Sequence, residues 1–288
     1  MTEQSSVLVF QTAVQADYEK IASESYVTLS DNTKLRILCT QAPNETSTSY
    51  SIIIVAGWGS VALGWDPFLM EAKKYFDVIY LETREKGSSF MNMKTRSDLD
   101  RLSEDMKEVI NFLKIDKDKL ILFGSCYGAL LLAHGLSMNK YDGVFTILVG
   151  PPGRLHVPEV TRYLIPIVPH WIFYPFKPIL KWWLKRNTES EEQVAKYTRV
   201  FDEADTKKWK AVSKHLATPK YWDMYAQITS KVLLVGAKED KMHDVESTQK
   251  ISQLLQNCDY RELKSNKDTH DIPMVELILD YLKEKDNS

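Results

Sequence analysis

Gly124-Ser125-Cys126-Tyr127-Gly128 constrains this chain more than any other stretch. It follows the apolar run Leu120-Ile121-Leu122-Phe123 and leads into Ala129-Leu130-Leu131-Leu132-Ala133, which reads as helix. Strand, Gly-x-nucleophile-x-Gly, helix is the pattern of a nucleophile elbow. The central residue of such a turn has strained backbone, and glycines two places before and after leave room where strand and helix nearly touch. The turn lifts one side chain above the sheet, and here that side chain is the thiol of Cys126. Ser125, one residue off the apex, is expected to point away. The plain alternative is a small apolar Cys at the start of a buried helix. The surrounding chain therefore has to decide.

Alternation of strand-like and helix-like runs supplies the frame. Tyr26–Leu29 and Leu35–Leu38 flank an Asp31-Asn32 turn and predict an antiparallel hairpin. Ser51–Val55 and Val78–Leu81 are continuous apolar runs, the mark of strands buried on both faces. Asp66-Pro67 predicts a helix start, and Leu99–Leu113 carries apolar residues at helical spacing. Val144–Val149, Val232–Val235 and Tyr260–Leu263 predict further strands, with helices over Val245–Leu255 and Met274–Leu282. The expected fold class is α/β, a mostly parallel central sheet with helices on both faces and the hairpin at one edge.

Between Pro151 and Ile228 the alternation stops. Eight of the chain's eleven prolines fall there, seven of them before Pro219, with Trp171, Trp182, Trp183, Trp209 and Trp222. The expected organisation is a core of residues 1–150 and 229–288 with residues 151–228 inserted as a helical cap over the C-terminal strand ends, where ligands bind in such sheets. Tyr163–Leu184 is apolar and aromatic but is broken by Pro166, Pro169, Pro175 and Pro178, and it holds Lys177 and Lys181, which argues against a spanning helix. It either roofs an acyl site through Trp171, Phe173, Trp182 and Trp183, or rests its rings and Lys177, Lys181, Lys185 and Arg186 against lipid headgroups as a peripheral contact. Lys207-Lys208-Trp209-Lys210 reads as a solvated helix face.

At this point the chain resembles the α/β-hydrolase superfamily, with Cys in place of Ser at the elbow. Val55-Ala56-Gly57-Trp58-Gly59-Ser60 stands where that family has a His-Gly oxyanion loop, and Ala56 replaces the His. This departure should alter support of the loop more than its backbone donor. Glu82-Thr83-Arg84-Glu85-Lys86-Gly87-Ser88 resembles the family's Asp-x-Arg-Gly-x-Gly-x-Ser loop, with Glu85 replacing a Gly. Lys231–Gly236 followed by Asp240 looks like the strand and loop carrying the acid, and Thr269-His270-Asp271-Ile272-Pro273 like the His loop. The order nucleophile, acid, His matches.

The resemblance implies an α/β-hydrolase fold with an inserted helical cap and a Cys126–His270–Asp240 triad, the backbone N–H groups of Trp58 and Tyr127 forming the oxyanion hole. Glu239 and Asp244 compete with Asp240 for the acid. His243-Asp244 lacks a metal ligand set, and neither metal nor cofactor is expected. His134, His156, His170 and His215 are left as structural or substrate-proximal. Dienelactone hydrolases and polyhydroxyalkanoate synthases also carry Cys at the elbow but match neither the cap nor the flanking residues. A natural or engineered replacement of Ser stays open. The Asp that epoxide hydrolases and haloalkane dehalogenases need is absent.

The implied activity is hydrolysis of an ester, thioester or lactone with a hydrophobic acyl part through an acyl-cysteine. Acyl transfer, or a ligand-binding member without catalysis, is the alternative. A net charge of -2 gives no reason to expect nucleic acid. Three cysteines, Cys39, Cys126 and Cys258, are too few and odd in number for a disulfide framework. With Met1–Gln15 polar, a cytoplasmic, reducing location without a leader is expected. Oligomeric state is left open.

Overall fold

A computed structural model describes residues 14–153, 167–187, 191–216, 221–238 and 245–286. In chain order its strands are β1 (Ser23–Thr28), β2 (Lys34–Thr40), β3 (Ser51–Val55), β4 (Asp77–Glu82), β5 (Leu120–Ser125), β6 (Phe145–Val149), β7 (Val232–Ala237) and β8 (Cys258–Leu263). The described helices are α1 (Asp17–Ile21), α2 (Asp66–Ala72), α3 (Leu99–Leu113), α4 (Tyr127–Ser137), α5 (Phe173–Asn187), α6 (Glu191–Glu203), α7 (Thr206–Leu216), α8 (Trp222–Ala226), α9 (Val245–Leu254) and α10 (Ile272–Asp286).

The strands form one sheet in the order β1-β2-β4-β3-β5-β6-β7-β8. β1 pairs antiparallel with β2 and β2 with β4; the pairs from β4 to β8 are all parallel. The hairpin lies at the edge, as its turn chemistry predicts. β5 is buried at every residue and β3 from Ile52 onward, because helices cover both faces. On one face α3 and α4 pack with Tyr225, Ile228 and Ile251. On the other α1, α2 and α10 pack with Trp65, Phe68 and Phe123.

Sequence order and spatial order part company at β3. From there the chain first steps to β4 on one side and then returns to β5 on the other. The loops leaving β3 and β5 therefore rise side by side at the C-terminal end of the sheet, where a crevice must open.

Between β6 and β7 the described residues form only helices. α6 is tied to the N-terminal helix by Arg199, whose guanidinium donates to Glu19 Oε1 at 2.7 Å and to the Val14 carbonyl at 3.1 Å. Arg199 holds the Glu19 carboxyl below its ordinary range against the opposing effect of burial. Tyr225 on α8 is fully buried and donates to the Pro152 carbonyl at 3.0 Å.

The expectation for Lys207–Lys210 needs correcting at Lys208. Its side chain is buried, and its ammonium donates to the carbonyls of Lys86 at 3.0 Å and Gly87 at 3.3 Å, and to that of Ser89. Three carbonyls aimed at one point satisfy a lysine without solvent, so a charged triplet in sequence becomes a buried anchor. Burial pulls the Lys208 ammonium below the ordinary lysine range. Among the described residues no helix is long and apolar enough to cross a membrane.

Candidate active site

Cys126 sits between β5 and α4 with φ 50° and ψ -109°, a conformation side-chain-bearing residues rarely adopt. Such strain costs about 1–3 kcal/mol and persists only where neighbours enforce it. Here they do. The Cys126 N–H donates to the Val149 carbonyl at the end of β6, 2.9 Å away, and its carbonyl accepts from Leu130 at 3.0 Å. A Cβ on Gly128 would lie 1.9 Å from the Val55 carbonyl oxygen, and one on Gly124 would lie 2.7 Å from Ala129 Cα. Both glycines are required because α4 starts in contact with β3 and folds back on β5. Cys126 is partly exposed and Ser125 is buried.

The loop after β3 lies beside the thiol: Cys126 Cβ is 3.6 Å from where a Gly57 Cβ would stand. The turn is closed by Ser60 N–H donating to Gly57 O at 3.1 Å. Among the described residues the Trp58 N–H makes no backbone hydrogen bond. Tyr127, the first residue of α4, has an N–H without an intrahelical acceptor. The Trp58 and Tyr127 rings are 6.0 Å apart.

The loop after β4 braces this arrangement. Arg84 is fully buried: its Nε donates to Asp105 Oδ2 at 2.6 Å and its Nη1 to the Arg96 carbonyl at 3.1 Å, which ties the loop to α3. Lys86 is also buried, and its Nζ donates to Gly57 O at 2.6 Å and Ser60 O at 2.8 Å. Burial pulls this ammonium down, and Glu85, with Oε1 3.5 Å away, opposes that. Sequence reasoning missed Lys86; the only hint was the loss of a polar side chain at Ala56.

His270 follows β8 and packs tilted against Trp65 with ring centroids 4.2 Å apart; Trp65 in turn packs edge-on against Phe123, three residues before Cys126. His270 Nδ1 lies 2.9 Å from the Asn266 carbonyl and 2.8 Å from Thr269 Oγ1. Since a carbonyl only accepts, the hydrogen between them belongs to Nδ1, and in the neutral ring Nε2 then carries the lone pair. Among the described residues, the Asn266 carbonyl and Thr269 Oγ1 are the groups within hydrogen-bond distance of Nδ1. Asp240, Glu239, His243 and Asp244 lie outside the described residues.

Of the four aromatic residues expected to line an acyl site, Trp171 and Trp182 are each 59% exposed. Phe173 and Trp183 fall on α5, but their side chains lie outside what is described, as do His156 and the side chain of His215. His134 lies on α4, pulled down by burial, with Nδ1 unpaired among the described residues. Trp209 packs edge-on against Trp58 at 6.2 Å and lies over Gly59, where a Cβ would come within 2.8 Å of its ring. Burial raises the Cys39 and Cys258 thiols, the latter to about 11, which keeps both protonated at neutral pH. Among the described residues no group of three or more His, Cys, Asp or Glu side chains could hold a metal ion.

No protein-family model matches this chain, and no curated protein is similar to it in sequence. Solved structures are similar in shape. A hydrolase from Pseudomonas aeruginosa superposes with a TM-score of 0.73 at 14% identity, covering 90% of this chain and 98% of that one. An enol-lactonase from Burkholderia xenovorans does so with 0.71 at 16% identity, covering 90% and 100%. A thermophilic esterase from Thermogutta terrifontis gives 0.71 at 16%, covering 91% and 99%.

The chain has the α/β-hydrolase fold. At such low identity the likeness carries the fold and no more. In this α/β-hydrolase fold the loops after β3, β4 and β5 converge at the switch point, and Cys126 stands at that convergence.

Proposed function

We propose that this protein is an acyl hydrolase in which Cys126 carries the acyl group of an ester, thioester or lactone with a hydrophobic acyl part. The observation that carries this reading is the φ of 50° at Cys126, held by its neighbours, which suits a turn that presents one side chain. In the proposed cycle His270 Nε2 takes the thiol proton and the thiolate attacks the carbonyl carbon, forming the C–S bond. The Trp58 and Tyr127 amides stabilise the oxyanion. As the carbonyl re-forms, the C–O or C–S bond to the leaving group breaks, and the leaving group takes the proton from His270. Water then gives a proton to His270 and its oxygen to the acyl carbon, releasing the acid and restoring the thiol. Asp240 would support the imidazolium. Transfer to another acceptor is the same cycle with an alcohol, amine or thiol replacing water. Three free thiols fit a cytoplasmic, reducing setting.

The test is turnover of p-nitrophenyl esters and acyl thioesters of increasing chain length. The reading expects kcat/KM to rise with chain length by up to about fourfold per CH₂ until the site is full. No turnover of any member would contradict it.

Residues 151–228 are proposed as the cap, and its outer face favours lipid contact. On α5, Tyr174, Pro175, Pro178, Ile179, Trp182 and Arg186 are all exposed, at spacings that place them on one side, with Trp171 just before. Lys181 instead pairs with Asp202 on α6. Solvent-facing aromatic residues, and no Asp or Glu between Ile167 and Asn187, suit an anionic headgroup layer. The protein is expected to float with phosphatidylserine-containing vesicles, and Trp171→Ser with Trp182→Ser to weaken that at least about tenfold. Absence of co-migration would remove the membrane contact.

A further inference from the structure

We propose that Lys86 is a positioning residue that aims the Trp58 N–H, and that Lys208 makes this aim depend on the seating of α7. The catalytic part rests on the acyl-transfer reading above. The physical link is the planarity of one peptide unit. Gly57 C=O and Trp58 N–H belong to the same trans peptide, so fixing the oxygen on one side fixes the hydrogen on the other. Lys86 Nζ holds that oxygen at 2.6 Å and Ser60 O at 2.8 Å, gripping both ends of the turn. A charged donor on the carbonyl also polarises the peptide and strengthens its N–H as a donor.

Two departures from the loop patterns meet at this point. Ala56, fully buried, has no group to hold the oxyanion loop. Glu85, where a glycine is the pattern, is fully buried with Oε1 3.5 Å from Lys86 Nζ and 2.7 Å from Thr83 Oγ1, so the ammonium has its counter-charge. The support lost at Ala56 comes instead from the neighbouring strand's loop. β4 pairs parallel with β3 as far as Val55–Leu81, which brings the two loops side by side.

α7 grips both loops with consecutive residues. Lys208 donates to the carbonyl of Lys86 itself at 3.0 Å and to that of Gly87, while Trp209 covers Gly59 and meets the Trp58 ring. At the other side Gly87 touches the end of α6, since a Cβ there would lie 2.1 Å from the Glu203 carbonyl oxygen. A small crevice between these parts is lined by Ser60, Glu82, Lys86, Glu203 and Trp209. Lifting α7 releases the Lys86 loop and uncovers the Trp58 loop together.

The test compares wild type, Lys86→Met, Lys86→Gln and Lys208→Met. Amide hydrogen exchange in a peptide spanning 56–61 is expected to quicken at least about tenfold in Lys86→Met and several-fold in Lys208→Met, while β5 peptides stay as in wild type. With the best ester, kcat should fall about 30-fold in Lys86→Met at little changed KM, less than loss of a whole oxyanion donor. Lys86→Gln, which can still donate, should recover part of this. Alkylation of Cys126 by iodoacetamide develops no oxyanion and should stay within about threefold. Unchanged exchange at 56–61 in Lys86→Met overturns the aim, and unchanged exchange in Lys208→Met overturns the link to α7. Alkylation falling in step with turnover overturns positioning in favour of general disruption. If wild type turns over no ester, the acyl-transfer reading fails while the exchange arm still decides whether Lys86 and Lys208 hold the loop. Should Lys86→Met not fold, Lys86→Gln and Lys208→Met carry the test.

Discussion

Cys126→Ala is expected to lower kcat/KM for the best ester by about 10⁴-fold or more, the scale seen when a covalent nucleophile is removed from an intact site. The magnitude follows from what the methyl group lacks: with no sulfur there is no C–S bond to form, and the remaining donors only bind and polarise the carbonyl. Stability should move little, because alanine inherits the φ of 50° and loses one partly exposed atom. Circular dichroism and a thermal scan beside the kinetics separate loss of chemistry from loss of fold. Turnover that persists in this variant would mean that another group does the work.

Gly128→Ala should unfold the elbow. The added Cβ would stand 1.9 Å from Val55 O and 2.9 Å from Ala56 O, both backbone atoms. Backbone can give way only by moving β3, and β3 is hydrogen-bonded to β4 on one side and β5 on the other along its whole length. The choice is therefore between a broken ladder and an α4 pushed off the sheet, and α4 is buried at nine of its eleven residues. We expect about 3 kcal/mol of destabilisation, the upper range for overpacking. In a domain of this size that lowers Tm by roughly 6 °C. A variant with unchanged Tm would show that β3 and α4 are not in contact as described. Gly57→Ala is the control: its Cβ would meet nothing closer than 3.6 Å.

Apolar patterning made most of the sheet legible. Continuous runs marked β3, β4, β5 and β6, and the helical spacing of Leu102, Met106 and Val109 matched α3 from Leu99 to Leu113. These signals are local consequences of burial on both faces or on one. Proline fixed less. Pro67 lies in the first turn of α2, but Pro178 lies inside α5, where sequence rules expect a break.

What stayed hidden depends on carbonyls arriving from elsewhere in the chain. Nothing in Lys207-Lys208-Trp209-Lys210 says which of three lysines will be buried, because the acceptors come from residues 86, 87 and 89. The same holds for Lys86, whose acceptors follow β3, and for Asn266, whose main chain meets His270 Nδ1. Side-chain type predicts which residues can do chemistry, whereas backbone placement decides which lysine is solvated and which holds a loop.

The most direct measurement is intact-mass and peptide mapping of wild type and His270→Ala, quenched after brief mixing with the best acyl ester. A single acyl mass increment on the peptide containing Cys126, present in wild type and lost in His270→Ala, is the predicted result. Turnover of the ester with the increment on another residue, or with none on any residue, would contradict it.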